Sequence, residues 1–246
     1  MSLQRTVSGS VALVTGANRG IGAAFVRALL ANGAARVYAG ARKPESLTAL
    51  AQSDQRIVPI QLDISSETSV AAAAAQLCDV DLLINNAGVA YGARLLGSPD
   101  LNAARQEMEV NYFGTLRMIR AFAPILANNG GGSVVNVLSI LSRVTSANFG
   151  SYSASKAAAF ALTQGVRAEL RQQGTLVIGV MPGYVDTDMA AGVEGDKLSP
   201  AAVVEAAFEA LRSGQEDIYP GERASWVVAQ LATDPKAVEL AFGQLA

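Results

Sequence analysis

Tyr152 and Lys156 are four positions apart in a 246-residue chain, and Tyr152 follows Ser139 by 13 positions. On a helix, residues four apart share a face. That spacing sets a phenol beside an ammonium. A neighbouring cation favours phenolate and lowers a tyrosine pKa from about 10. The pair therefore reads as a proton donor and acceptor tuned by a fixed charge. Half the chain earlier stands a glycine-rich turn, Thr15-Gly16-Ala17-Asn18-Arg19-Gly20-Ile21-Gly22. Together they suggest proton transfer coupled to a nucleotide cofactor.

The turn lies between an apolar run, 10–15, and a segment with helical period from Gly20 to Ala31, bearing Ile21, Phe25, Ala28 and Leu29. In such a place Gly16, Gly20 and Gly22 let the chain turn tightly, let backbone approach a pyrophosphate, and let helix and strand pack closely. The first N–H groups of the helix are then open to an anion. A carboxylate at the end of the second strand would hold the ribose 2′-hydroxyl of NAD. Here Gly40-Ala41-Arg42-Lys43 offers two cations and no carboxylate. A 2′-phosphate suits Arg42 and Lys43, with Arg19 as a further contact, so NADP(H) is expected over NAD(H).

Composition removes alternatives. The chain has no histidine, which excludes a Ser-His-Asp triad, a histidine base and a histidine-ligated metal. Its single cysteine, Cys78, excludes an intrachain disulfide and is expected as a small apolar side chain near a helix end. Half the residues are hydrophobic, 16% are charged, and the net charge is -2. This balance buries a large core and gives no electrostatic footprint for nucleic acid or an anionic membrane. The first residues lack the apolar run of a signal peptide, and no charge-free apolar stretch is long enough to span a bilayer. A cytoplasmic protein is expected.

The positioning elements alternate. Strands are expected at 10–15, 36–40, 57–62, 80–85, 133–138, 176–181 and 217–219, with Pro59 weakening the third. Helices are expected at 20–31, 44–52, 66–77, 101–126, 152–171 and 200–212, with short helical pieces from Glu222 onward. Such alternation predicts an α/β fold, a single-domain, Rossmann-type doubly wound parallel sheet of about seven strands with helices on both faces, over residues 1–246.

Six motifs now stand in order: the glycine turn, Asn85-Asn86-Ala87-Gly88, Asn111, Ser139, Tyr152 with Lys156, and Pro182-Gly183. The chain resembles the short-chain dehydrogenase/reductase family, in its version of about 250 residues, over nearly its whole length. The resemblance implies that Tyr152 is the general acid/base and that Lys156 lowers its pKa and holds the nicotinamide ribose. It implies that Ser139 positions the substrate oxygen and that Asn111 supports a proton-relaying water. Asp63 and Ile64 match the adenine contact. Asn85, Ala87 and Gly88 match the lining of the adenosine ribose. Pro182, Gly183, Val185 and Thr187 match the segment at the nicotinamide carboxamide, and Asn18 and Ile21 belong to the pyrophosphate turn. Structural roles stay open beside these: Asn111 as a helix bend, Ser139 as a strand-end cap, and Tyr152 as a buried helix residue.

The implied reaction is reduction of a hydrophobic ketone or aldehyde, or its reverse. The substrate pocket is expected from Ser139, Ile140, Leu141, Phe149, Tyr152, Tyr184, Tyr91 and the segment 188–198, with no arginine placed to clamp a carboxylate. A 3-oxoacyl thioester is the alternative substrate, and a non-catalytic NADP(H) sensor is the alternative of another class. The family also implies a homodimer or homotetramer through the two long helices.

Overall fold

The computed structural model describes residues 3–244. Its centre is one all-parallel sheet of seven strands: β1 (Val11–Thr15), β2 (Arg36–Ala41), β3 (Ile57–Gln61), β4 (Leu82–Asn85), β5 (Ser133–Val137), β6 (Leu176–Val180) and β7 (Asp217–Ile218). The order is β3-β2-β1-β4-β5-β6-β7. Alternate side chains of a strand point to opposite faces, so a sheet covered on both sides needs apolar residues at every position. β1 shows this directly. Ala12 and Val14 enter one core, and Leu13 enters the other.

Two helical layers cover the faces. On one side lie α1 (Gly20–Ala31) and α7 (Pro200–Ser213), which pack together through Phe25 and Phe208. On the other lie α3 (Glu67–Gln76), α5 (Thr115–Asn128) and α6 (Gly150–Leu170), with Val70, Phe122 and Val166 inward. The remaining helices are α2 (Thr48–Ser53), α4 (Asn102–Met108), α8 (Glu222–Thr233) and α9 (Pro235–Phe242). Local chemistry sets their ends. Ser199 caps α7 by accepting from the Ala202 N–H, Pro200 takes its first turn, and Gly214 closes it at φ 73°.

The expected third strand is present: β3 keeps Pro59, opposite Ala39, because β3 is an edge strand with one unpaired side. Departures from the sequence reading have physical reasons. The helix expected at 44–52 splits into a 3-10 turn at Pro44–Leu47 followed by α2. The single helix expected at 101–126 is interrupted between α4 and α5 by a π-helical turn, Glu109–Gly114, with Asn111 inside it. Cys78 does follow a helix, in the loop between α3 and β4, but it is exposed rather than apolar and packed. Among the described residues no helix is long and apolar enough to cross a membrane.

The chain runs outward from β1 through β2 to β3, then returns to place β4 on the other side of β1. That reversal opens a crevice at the carboxyl ends of β1 and β4, where open α/β sheets bind ligands.

Candidate active site

The crevice begins at the glycine turn. Gly16 and Gly20 have φ of 63° and 53°, left-handed values that disfavour side chains. A Cβ on Gly22 would lie 2.1 Å from the Gly16 carbonyl oxygen. The loop after β4 is tied to this turn. The Asn86 amide Nδ2 donates to the Thr15 and Gly16 carbonyls at 3.0 and 3.1 Å, and the Thr15 hydroxyl accepts from the Asn86 and Ala87 N–H groups at 2.9 and 3.0 Å. No side chain caps the start of α1, so its leading N–H groups stay open to an anion.

A cleft of about 240 Å³ runs from this turn across the sheet end. Gly16, Asn18, Arg19, Gly20 and Ile21 line it, with Arg42, Asp63, Ile64, Ala87, Gly88 and Thr187. Its far end is Tyr152 and Lys156. An open helix start, a glycine cradle and the Arg42 cation just past β2 fit an elongated, phosphate-bearing dinucleotide. Arg19 is exposed and paired with Asp188 at 3.1 Å. Lys43 is not on the cleft wall; the chain turns into the 3-10 segment there and leaves it exposed. Gly22 lies behind the turn, and Asn85 lies behind the wall, its Nδ2 donating to Asn136 Oδ1 at 2.9 Å.

The proton-transfer groups sit where β5 and α6 meet. Ser139 lies just past β5 and caps the 3-10 turn Ile140–Ser142, its Oγ accepting from the Leu141 N–H at 3.1 Å while keeping a hydroxyl proton to donate. Its hydroxyl faces the Tyr152 phenol and favours that group's ionised form. Lys156, one helical turn from Tyr152, donates from Nζ to the Val137 carbonyl at 3.0 Å, with the amine 5.8 Å from the Tyr152 ring centre. Beside it, a Cβ on Gly88 would stand only 3.0 Å from Asn111 Oδ1.

The electrostatics differ from the sequence expectation. Burial pushes the Tyr152 phenol up to about 12, against the hydrogen bond to Ser139, with the Glu107 carboxylate adding to the rise. Burial pushes the Lys156 amine down to about 8. Desolvation disfavours both charged forms, and in the protein alone it outweighs the cation–phenol attraction that the spacing suggests.

Asn111 holds the floor. Its Nδ2 donates to the Val89 carbonyl and to Ser155 Oγ, and its Oδ1 accepts from the Val89 N–H, each at 2.9 Å. With both amide protons committed to these partners, the side chain fastens the post-β4 loop to α6. Glu107, fully buried, does a parallel job: it accepts from the Ser151 hydroxyl at 2.5 Å and the Tyr91 N–H at 2.7 Å. Sequence reading missed Thr15, Asn86, Glu107 and Ser155. Only Asn86 carried a signal, by its place beside Asn85.

Tyr152 and Ser139 also form one wall of a second, mainly apolar cavity of about 120 Å³. Ile140, Leu141, Phe149 and Tyr184 line it as expected, with Met189, Ala190 and Val193 from the segment 188–198. Pro182, Gly183 and Val185 face this cavity rather than the cleft, and Ile21 and Thr187 line both. Two expectations fail. Tyr91 does not line the cavity; the residue is 51% exposed, with its backbone N–H held by Glu107. And an arginine is present: Arg223, from the first turn of α8, lines the wall with Phe242 of α9. Among the described residues no group of three His, Cys, Asp or Glu side chains is placed to hold a metal.

Known proteins share this fold and sequence pattern. Residues 10–197 match the family model for short chain dehydrogenases. Cis-4-hydroxycyclohexanecarboxylate dehydrogenase of Sinomonas cyclohexanicum is 37% identical over 192 residues, covering 76% of this chain and 77% of that protein. A short chain dehydrogenase from Burkholderia cenocepacia J2315, solved in complex with NADP, is 45% identical with a TM-score of 0.93, over 98% of this chain and all of that one. An alcohol dehydrogenase from the archaeon Thermococcus sibiricus, complexed with 5-hydroxy-NADP, is 28% identical with a TM-score of 0.77, over 85% and 95%. This chain belongs to the short-chain dehydrogenase family, and it is an oxidoreductase of that family.

Proposed function

We propose that the protein is an NADP(H)-dependent carbonyl reductase, or the reverse secondary-alcohol dehydrogenase, acting on a compact hydrophobic substrate. The observation that carries this reading is shared lining: Tyr152 belongs both to the phosphate-adapted cleft and to the apolar cavity, which also holds Ser139. A carbonyl in that cavity meets two hydroxyl groups at the point where the two spaces join. The Burkholderia relative binds NADP, and the Sinomonas relative acts on a cyclic secondary alcohol, which supports both halves.

Arg42 and the open start of α1 hold the phosphates, and Lys156 and Thr187 lie at the nicotinamide end. The bound cofactor supplies a hydride to the carbonyl carbon and takes it back in the reverse direction. As negative charge grows on the carbonyl oxygen, Tyr152 gives it a proton from its hydroxyl, and Ser139 donates a hydrogen bond. Such general acid help contributes roughly 10²–10⁴-fold. A phenol held protonated, as here, is in the right state to act as the acid. The nearby Lys156 ammonium then stabilises the phenolate left behind. The apolar walls exclude water and strengthen both interactions.

Homo-oligomerisation is part of the proposal. α6 turns an exposed row of small residues outward, Ala154, Ala157, Ala161 and Ala168, and Phe113 stands exposed on the neighbouring π turn. Light scattering reads the assembly directly.

The deciding experiment is NADPH oxidation measured on cyclic and aryl ketones against acetoacetyl thioesters. Turnover of the ketones supports the reading. Tight NADPH binding with no turnover of any carbonyl overturns it in favour of a sensor.

A further inference from the structure

The apolar cavity carries a single ionised side chain on its wall, Arg223. Its guanidinium carbon lies 5.0 Å from the Tyr184 ring centre and 5.5 Å from that of Phe242. Among the described residues it has no hydrogen bond and no ion pair. This distinguishes it from Arg19, Arg36, Arg56, Arg117, Arg167, Arg171 and Arg212, each of which meets a carboxylate. Stacking on ring faces fixes the plane of a guanidinium while leaving its N–H fork free at the edges, the geometry that matches a carboxylate. Glu222, its chain neighbour, lines only the outer hollow beyond the cavity, and adjacent residues on a helix do not face each other.

We propose that Arg223 is the seat for a carboxylate on the substrate, so that the substrate class is an oxo- or hydroxy-carboxylate whose compact apolar body separates the acid from the reacting carbon. This rests on the carbonyl-reductase reading above. The two ends of such a molecule match the two polar ends of the cavity. Ser139 and Tyr152 take the carbonyl oxygen, Ile140, Leu141 and Phe149 flank the body, and Arg223 takes the charge. Arg223 also lines the outer hollow, so the acid enters last and keeps contact with water.

The test compares 4-oxocyclohexanecarboxylate with its methyl ester, equal in ring and ketone but lacking the charge. With NADPH, kcat/KM for the acid over the ester is expected at about tenfold or more in the wild type, the factor that one good charge contact of about 1.4 kcal/mol supplies. Arg223→Gln brings that ratio toward one, mostly through KM for the acid, and Arg223→Lys keeps part of it. Equal efficiency for acid and ester in the wild type, or a ratio unchanged in Arg223→Gln, overturns the proposal and leaves the reductase reading standing. If neither ketone is turned over, the reductase reading is what fails for this class, and calorimetry of the carboxylate on the protein–NADP⁺ complex still decides the seat. Binding that Arg223→Gln weakens about tenfold supports it, and binding insensitive to the substitution, or none, overturns it.

Discussion

The Lys156 amine lies 5.8 Å from the centre of the Tyr152 ring while donating its hydrogen bond elsewhere, to the Val137 carbonyl. Without cofactor, burial keeps the phenol protonated and pushes it up to about 12. An ultraviolet titration, taken as wild type minus Tyr152→Phe, is expected to show no ionisation of this phenol below about pH 11. NADP⁺ brings a positive ring to the same space and should move the ionisation down. A titration unmoved by NADP⁺ would remove Tyr152 as the base for alcohol oxidation.

Tyr152→Phe deletes one hydroxyl from a wall that the cleft and the cavity share. Turnover is expected to fall about 10²–10⁴-fold, the range for loss of a general acid. NADPH affinity, read by fluorescence, should change little. Wild-type turnover in this variant would end the assignment.

Lys156 makes stability depend on pH. Its folded pKa of about 8 lies below the ordinary 10.5, so the folded state holds fewer protons between those values and stability rises with pH in that window. Urea unfolding of the cofactor-free protein from pH 7 to 9.5 should show the wild type gaining about 2 kcal/mol relative to Lys156→Met. Parallel pH curves for the two proteins would show that the amine is not desolvated.

Gly22→Ala places a Cβ 2.1 Å from the Gly16 carbonyl oxygen and 2.6 Å from Asn86 Nδ2. The turn must open, which breaks the tie between the post-β1 and post-β4 loops. Overpacking of this kind typically costs about 1–3 kcal/mol, and cofactor affinity should fall with it. Thermal unfolding and NADPH titration check both; an unchanged midpoint with intact binding contradicts the packing described.

Arg42 stands at the end of β2 on the cleft wall. Arg42→Ala is expected to weaken NADPH about 10–100-fold, the equivalent of a charge-assisted contact of about 1.5–3 kcal/mol, and to leave NADH nearly unaffected. Equal losses for both cofactors would place the 2′-phosphate elsewhere.

The sequence announced the sheet well because each strand is a short apolar run closed by glycine, proline or a polar residue, and parallel strands need no alternation to be recognised. Ends were less legible. The interruption around Asn111 is a single extra residue in one helical turn, too local to shift the period of the helices on either side. The glycine turn and the Tyr152–Lys156 pair were readable because spacing alone brings them together. Tyr91 was misplaced and Arg223 overlooked because loops and the terminal helices take positions set by tertiary contacts: a buried Glu107 holds the Tyr91 backbone, and two aromatic rings flank the Arg223 guanidinium. The direction of the phenol shift was also beyond spacing, since proximity is local but burial belongs to the whole fold.

Cys78 is the chain's only thiol, exposed in the loop that leads into β4. All seven strands run the same way, so this loop lies at the end of the sheet opposite the cleft. A maleimide would therefore tether every molecule through one point with its mouth facing outward, which suits oriented attachment to a sensor chip or an electrode.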